Sequence, residues 1–257
     1  MCTVTIHRSE SGFTATMNRD EAFVRAPERK PEFRSSQGGI DWCAPFDSEK
    51  GGTWMGVNSF GVAACLLNAY QPGESLLPDT TGRHRTRGEI VPVVLEAGDA
   101  EAAHRWVEST LDPARYPSFT LLLVTPVEST SFEWLGRGPM CATPLASPWT
   151  IRSSSGWDSA DVIRWREERF VQWIESGAPH VDTLPNFHLL QEPGHEERSP
   201  LMRREWSGTR SITQARVHFA QGRAELLYWP APAPETRVPA AHGSLRLIGT
   251  LAPAEII

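Results

Sequence analysis

Two polar features near the start of the chain could do chemistry together. Cys2 directly follows the initiator Met1, and the polar tetrapeptide Asn18 to Glu21 follows a few residues later. Methionine is normally trimmed when the next side chain is small, so we expect a mature chain that begins with a thiol and a free α-amine on one residue. Such a residue is a nucleophile with its own base, because an α-amine has an ordinary pKa of about 7.7–8.0.

The residues between these two features are typical of a β-hairpin. Cys2 to His7 alternates polar and apolar side chains, residues 9–12 have turn chemistry, and Phe13 to Met17 continues as a second strand. The second strand should return residues 18–21 to the neighbourhood of Cys2. The spacing therefore predicts that the thiol lies beside this polar cluster.

The other cysteines and the histidines give no metal or redox motif. Cys43, Cys65 and Cys141 form no C-x-x-C pair, and the eight histidines show no convincing metal-ligand spacing. We therefore predict no metal site and no cofactor. Cys65 lies in an apolar run, which favours a buried small hydrophobe.

Composition limits the class of protein. The 257 residues contain 25 Lys plus Arg and 31 Asp plus Glu, a net charge of −6, and no basic run that would indicate nucleic-acid binding. No apolar run approaches the roughly 20 residues of a membrane-spanning helix. His7 and Arg8 interrupt any signal-peptide core. We expect a cytoplasmic protein without a membrane span, and the oligomeric state stays open.

The pattern along the chain favours an α+β domain in which helices cover stacked sheets. Further strands are predicted at residues 40–44, 53–58, 62–68, 118–125, 131–135, 211–220 and 223–229. Helices are predicted at residues 89–97, 100–111 and 159–176. Asp99 is the expected N-cap of the second helix, and the apolar middle of 62–68 suggests a strand buried on both faces.

The remaining segments are predicted to be irregular. We expect loops at residues 28–36 and 136–150, one short helix within 181–190, and exposed chain over 191–204. From about residue 230 the chain is rich in proline and alanine, which predicts an extended or disordered segment. No domain boundary stands out, so residues 1–257 are expected to form a single domain.

Three segments also carry a family resemblance: the Met1-Cys2 start, the tetrapeptide Asn18 to Glu21, and Gly51 to Asn58 with Gly61 and Asn68. Together they resemble the NRDE family, the proteins similar to transport and Golgi organisation protein 2. Two shorter signatures extend the resemblance over roughly residues 1–230: Thr86-Arg87-Gly88 and Thr209-Arg210-Ser211.

The resemblance implies a fold. The NRDE family looks like the N-terminal nucleophile hydrolases of the choloylglycine hydrolase and penicillin acylase type. That likeness implies a four-layer αββα sandwich, with two antiparallel sheets face to face and helices outside. The predicted order of strands and helices is compatible with it.

The resemblance also implies site residues. Cys2 would be the nucleophile, and Asp20 the carboxylate that holds and orients its α-amine. Asn68 would donate to the oxyanion of a tetrahedral intermediate. Arg210 is the candidate for a cation near the thiol, where it would favour thiolate.

Three further residues are candidate substrate contacts, namely Asn18, Arg19 and Asn58. Several site residues have an alternative from the residues themselves, and Asp20 beside Arg19 could be a salt-bridged strand end. Arg19 and Glu21 could pair with other charges and hold the loop, and Asn58 could shape the turn before Gly61. Asn68 could likewise be an ordinary turn residue.

The sequence departs from the family at one place. Relatives usually have a Ser-Asn pair some six residues before a Pro-Trp, and a lysine soon after it. Here Pro148-Trp149 is preceded by Cys141-Ala142 and followed by Thr150-Ile151. The asparagine that would help to hold substrate or amine is therefore missing.

Two functions are consistent with these residues as hypotheses. The first is hydrolysis or transfer of an amide or related acyl group of a small-molecule substrate, through a thioester on Cys2. The second is a binding or trafficking protein that uses the same cleft for a hydrophobic ligand such as haem or an acyl lipid. A relic of the fold without chemistry is a third possibility.

Overall fold

The structure is a computed structural model that describes residues 2–71, 84–177 and 185–248. Two antiparallel sheets stack face to face, and helices cover their outer faces. The first sheet has six strands in the order β10-β1-β2-β11-β12-β13, and the second has seven in chain order from β3 to β9. This is the αββα arrangement that the family resemblance implies.

The strands of the described residues are β1 Cys2–Ser9, β2 Gly12–Ala22, β3 Arg29–Ser35, β4 Asp41–Phe46, β5 Met55–Asn58, β6 Ala63–Asn68, β7 Phe119–Val124, β8 Ser129–Trp134, β9 Cys141–Pro144, β10 Trp149–Ser154, β11 Ser207–His218, β12 Arg223–Pro230 and β13 Ala241–Arg246. The α-helices are α1 Ile90–Glu96, α2 Ala100–Ser109 and α3 Ser159–Glu175. Short 3₁₀ turns lie at Arg87–Glu89, Pro113–Arg115 and Asn186–Leu189. In these ranges no helix has the length and apolar character that a bilayer span requires.

Alternating side chains build the two main cores. Along β1, Val4 and Ile6 point into the inner core between the sheets, where they meet Phe13 and Met17 of β2. The second core lies between the seven-stranded sheet and helices α1 and α2. Strand β6 serves both cores, because its side chains alternate between them. The predicted burial of this strand on both faces is confirmed.

Several local predictions are confirmed. The hairpin of β1 and β2 places Cys2 opposite Arg19. Asp99 caps α2, since its side chain accepts from the backbone N–H of Ala102. The predicted helix at 159–176 is α3. The second hairpin turns at Gly222, whose φ of 57° is in the left-handed region that glycine tolerates.

Other local predictions are wrong. Residues 29–35 form edge strand β3, not a loop, and Pro31 sits at its register shift, where a missing N–H is tolerated. The predicted loop at 136–150 contains β9 and the start of β10. Leu201 and Met202 are buried in a segment predicted to be exposed. The predicted short helix falls partly on residues 181–184, outside the described residues, and its described part is the 3₁₀ turn Asn186–Leu189.

The chain beyond residue 230 adds a strand. Residues 231–240 form a loop that is tied down by backbone bonds, among them Ala240 N–H to the carbonyl of Tyr228. It leads to β13, which pairs with β12 at the edge of the six-stranded sheet. The prolines and alanines therefore connect two neighbouring strands of one sheet.

Gly52 and Gly88, which belong to two of the family signatures, are in direct backbone contact. Thr53 N–H donates to the carbonyl of Gly88 at 2.9 Å. A Cβ on Gly52 would lie 2.6 Å from the carbonyl carbon of Gly88. The close approach of the Gly51-Gly52 turn to the start of α1 therefore needs a residue without a side chain.

This contact predicts that Gly52→Ala destabilises the fold by at least about 2 kcal/mol, because backbone on both sides cannot move away from the added methyl group. The free energy of unfolding in urea measures the effect. Gly38→Ala is the control, since its Cβ would meet only the Ser36 hydroxyl at 3.6 Å. Equal stability of the two variants would contradict the close packing at Gly52.

Candidate active site

Cys2 is the first residue of β1, which lies between β10 and β2 in the six-stranded sheet. Its cross-strand partners are Ser154 and Arg19. The side chain is half-buried and packs against the inner core, on the same face as Val4 and Ile6. The thiol therefore points between the two sheets.

Burial raises the pKa of the Cys2 thiol. Besides the charge of the chain's N-terminus, two groups act in the opposite direction: the backbone N–H of Asp20 donates to the sulfur, and the guanidinium of Arg19 supplies positive charge. The Asp20 carboxylate repels a thiolate. The resting state is therefore a thiol with groups in place that stabilise charge when the proton leaves.

The Asp20 carboxylate lies on the opposite face of the sheet from the inner core. Oδ1 accepts from the Thr209 hydroxyl at 2.7 Å, and Oδ2 lies 3.5 Å from Nη2 of Arg166. The side chains of Asp20 and Arg166 are both wholly buried. Burial raises the pKa of Asp20, and the cation of Arg166 acts against that rise.

Arg166 fixes helix α3 to the sheet. Its guanidinium donates to the carbonyls of Arg198 and Ser199, each at 2.9 Å, and to the hydroxyl of Thr3. Arg166 was not among the predicted site residues. A signal was available, since Arg166 stands four residues from both Val162 and Phe170 and so occupies the apolar face of the helix.

Arg19 is held on the inner face beside the thiol. Its guanidinium carbon lies 4.5 Å from the centre of the Trp54 ring, and its nitrogens lie 3.3 Å from Glu28 and 3.4 Å from Glu21. Glu28 is nearly buried and also accepts from the Tyr228 hydroxyl at 3.1 Å. The interpretation that Arg19 pairs with carboxylates is confirmed, and a substrate contact at Arg19 stays a prediction.

Arg210 does not take the place predicted for it. It lies at the bulge of β11, and its guanidinium donates to the carbonyls of Ala22 and Arg25 at 3.3 and 3.4 Å. Among the arginines, Arg19 and not Arg210 acts on the Cys2 thiol. Arg210 therefore ties backbone together in this region, and it is not among the charges that act on the thiol.

Asn58 is a structural residue. Its amide nitrogen donates to the carbonyls of Leu95 and Gly98 at 2.8 and 2.7 Å, and its oxygen accepts from the N–H groups of Phe60 and Val62. The side chain is wholly buried. The interpretation that Asn58 shapes the turn is confirmed, and its assignment as a substrate contact is corrected, since no donor or acceptor is left for a ligand.

Asn18 is likewise used within the fold. Its amide nitrogen donates to the carbonyls of His188 and Pro200 at 2.9 Å, and its oxygen accepts from Nδ1 of His188. Nε2 of His188 then accepts from the Thr5 hydroxyl at 2.6 Å, so the ring is a neutral tautomer. The prediction of a substrate contact at Asn18 is wrong because the side chain is wholly buried.

Asn68 ends β6 and is half-buried. Its amide nitrogen donates to the hydroxyl of Tyr70 at 2.7 Å. The oxyanion function stays a prediction, and it requires this amide to exchange the tyrosine oxygen for a substrate oxygen. At the position where relatives have Ser-Asn, Cys141 and Ala142 are exposed residues of edge strand β9. Within the described ranges, no group of His, Cys, Asp and Glu could hold a metal ion.

Comparisons with known proteins give one family match and similarities to solved structures. Residues 1–205 match the model of a family described as Transport and Golgi organisation 2. No curated protein matches the chain. A Caenorhabditis elegans orthologue of N-acylethanolamine-hydrolyzing acid amidase has a TM-score of 0.54 at 12% identity, over 83% of this chain and 92% of that chain. Penicillin V acylase from Agrobacterium tumefaciens has a TM-score of 0.49 at 14% identity, over 100% of this chain and 94% of that one.

The buried ion pair yields a stability prediction. Arg166→Met should destabilise the protein by about 3–5 kcal/mol, because it leaves the Asp20 carboxylate buried without its cation. Adding Asp20→Asn to the Arg166→Met variant should recover part of that loss in stability, because the double variant no longer has a buried carboxylate without a cation. Urea unfolding followed by circular dichroism measures both variants.

Arg169→Met is the matched control on the same helix. Arg169 pairs with Glu192 at a partly exposed site, where an ion pair contributes about 1 kcal/mol or less. An Arg166→Met protein as stable as this control would contradict the account. So would a double variant no more stable than Arg166→Met alone.

His188 yields a prediction about pH. Burial and the nearby Arg166 cation lower its pKa to about 3 from an ordinary 6.5. Between these values the unfolded chain binds more protons than the folded chain, so stability is lost as pH falls from about 6.5 towards 3. In His188→Gln, which cannot titrate, the free energy of unfolding should depend less steeply on pH across this range.

The measurement is urea unfolding at a series of pH values from 7 down to about 4. His195→Gln, at an exposed histidine, is the control and should keep the wild-type slope. An unchanged slope in His188→Gln would mean that His188 is not the titrating group.

Proposed function

Because the chain belongs to the Transport and Golgi organisation 2 family, and its sandwich is that of an N-terminal nucleophile hydrolase, we propose that it is an N-terminal cysteine hydrolase or acyltransferase. The bond attacked is an amide or a related acyl bond. The supporting observation is the arrangement around Cys2. Its thiol meets the Asp20 backbone N–H and the Arg19 cation, while the Asp20 carboxylate is buried on the other face of the same strand.

The proposed reaction starts once Met1 has been removed. The freed α-amine of Cys2 takes the thiol proton as the sulfur attacks the acyl carbon, and a tetrahedral oxyanion forms. The carbon–nitrogen bond then breaks, and the ammonium returns a proton to the departing amine. Water hydrolyses the thioester, or an acceptor amine or alcohol takes the acyl group.

Asp20 is suited to orient that amine. Its carboxylate is held by Thr209 and Arg166, so it has a fixed position beside the strand that carries Cys2. Arg19 and the Asp20 N–H stabilise negative charge on sulfur. Asn68 would supply the oxyanion donor after release from Tyr70, an interaction typically worth a few kcal/mol in the transition state.

The choice of acyl substrates rests on the fold comparison. The Caenorhabditis elegans protein is an N-acylethanolamine-hydrolyzing amidase, so N-acyl amides with acyl chains of different length are the first compounds to test. Cys2→Ala should abolish turnover. Asp20→Asn should lower the rate by roughly 100-fold or more, because the α-amine that acts as general base loses the carboxylate that orients it.

A thiol-directed acylating probe tests the nucleophile separately from the substrate. Cys43 and Cys65 are buried, and burial raises the pKa of each to about 12, whereas Cys141 is exposed. In a Cys141→Ser background, peptide mapping should therefore place the acyl group on Cys2 alone. Adding Cys2→Ala should remove the label.

Labelling that persists without Cys2, or N-acyl amide turnover by the Cys2→Ala protein, would overturn the proposal. The non-catalytic alternative makes a different prediction. A carrier of haem or an acyl lipid would retain its ligand with unchanged affinity in Cys2→Ala and would show no turnover in either protein.

A further inference from the structure

An exposed apolar surface lies at the end of the six-stranded sheet that carries Cys2. We call it the rim, and it consists of Phe23, Val24, Trp157, Arg203, Arg204 and Trp206. Val24 is 93% exposed and Trp206 is 59% exposed, and Phe23 and Trp157 are also exposed. Large apolar side chains grouped at an exposed surface commonly mark an interaction site.

The rim residues form one continuous surface. Phe23 N–H donates to the carbonyl of Trp206 at 3.0 Å. The guanidinium of Arg203 lies 5.2 Å from the Phe23 ring centre, and that of Arg204 lies 4.6 Å from the Trp157 ring centre. The turn at residues 203–206 therefore joins the tip after β2 to the loop after β10.

The fold holds this surface rigidly. Arg210 donates to the carbonyls of Ala22 and Arg25, on either side of the exposed pair Phe23 and Val24. Arg204 donates to the carbonyl of Glu197, and the Ser155 hydroxyl bonds the backbone of Trp157. The apolar side chains are thus presented to solvent by backbone that is already ordered.

The rim lies close to the thiol along two strands. Phe23 follows Arg19, the partner of Cys2, by four residues, which is roughly 14 Å at the rise of an extended strand. Trp157 follows Ser154, the other partner of Cys2, by three residues. A surface in contact with the rim would therefore lie at the end of the sheet where Cys2 begins β1.

The charges of the rim favour an anionic partner. Among the residues that the structure describes, neither Arg203 nor Arg204 forms an ion pair within 4.0 Å, and the carboxylates of Asp20 and Glu197 attract Arg204 from a greater distance. Glu205 stands between Arg204 and Trp206, so two cations oppose one anion in this turn. Tryptophan with arginine is suited to a bilayer interface, where the ring enters the headgroup region and the cation meets phosphate.

We propose that the rim docks the protein reversibly on the surface of an anionic phospholipid bilayer. Val24 and Trp206 enter the interface, and Arg203 and Arg204 contact the headgroups. The docking does not depend on the proposed reaction, and Cys2→Ala should bind vesicles as well as the wild type does.

Vesicle flotation tests the proposal with the full-length protein. Wild-type protein should float with vesicles of phosphatidylcholine containing phosphatidylserine, and much less with phosphatidylcholine alone. Arg203→Gln with Arg204→Gln should weaken binding to the anionic vesicles roughly tenfold or more, given the contribution of each cation near such a surface. Val24→Ser with Trp206→Ser should reduce flotation to a similar extent, and Glu205→Gln should increase it.

Val238→Ser is the matched control, since Val238 is 82% exposed and lies outside the rim. It should float like the wild type, and thermal melting checks that every variant is folded. Flotation of the Val24 and Trp206 variant at the wild-type level would overturn the proposal. Equal flotation with neutral vesicles, or none with either kind, would also overturn it.

Discussion

The buried ion pair between Asp20 and Arg166 is the constraint on which the candidate site depends. Moving two charges out of water costs several kcal/mol per ion, and only good geometry and further hydrogen bonds offset it. Here Thr209 satisfies one carboxylate oxygen, and two backbone carbonyls with Thr3 satisfy the guanidinium. These contacts fix α3 and residues 198–199 against β1 and β2, the strands that carry Cys2 and Asp20.

The alternation of side chains along β1 and β2 determines which groups of the candidate site lie on each face of the sheet. Cys2 and Arg19 point into the space between the sheets, and Asp20 points to the helix-covered face. The backbone N–H of Asp20 still reaches the sulfur. A slip of one residue in the β1–β2 register would exchange these faces, so the inner core that fixes the register also fixes the chemistry.

The hairpin, the doubly buried strand β6 and helix α3 could be predicted from sequence because each depends on a local pattern. Strand β3 could not, because an exposed edge strand is charged and contains proline, as a loop does. Arg166, Glu28 and His188 were also missed. Their contacts join positions far apart in the chain, and no spacing rule connects Asp20 with Arg166 or Thr5 with His188.

The family resemblance predicted the fold and candidate site residues, which local patterns could not, but the structure supports only some of these predictions. It gave the four-layer sandwich and drew attention to Cys2 and Asp20, which the fold places on neighbouring strands. It also pointed to Arg210, whose guanidinium bonds the backbone at Ala22 and Arg25 and is not among the charges that act on the thiol, because a motif records that a residue is present and not what it touches. The side chains of Asn18 and Asn58 show the same limit, since each uses all its hydrogen-bonding groups inside the fold.

The central claim is that Cys2 carries a thiol and a free α-amine on one residue. A cyanobenzothiazole reagent tests it directly, because it condenses stably only with a terminal 1,2-aminothiol. We expect an intact mass lower by one methionine residue and a single stable adduct, mapped to the peptide that begins with Cys2. A mass that includes Met1, with no adduct on that peptide, would contradict it.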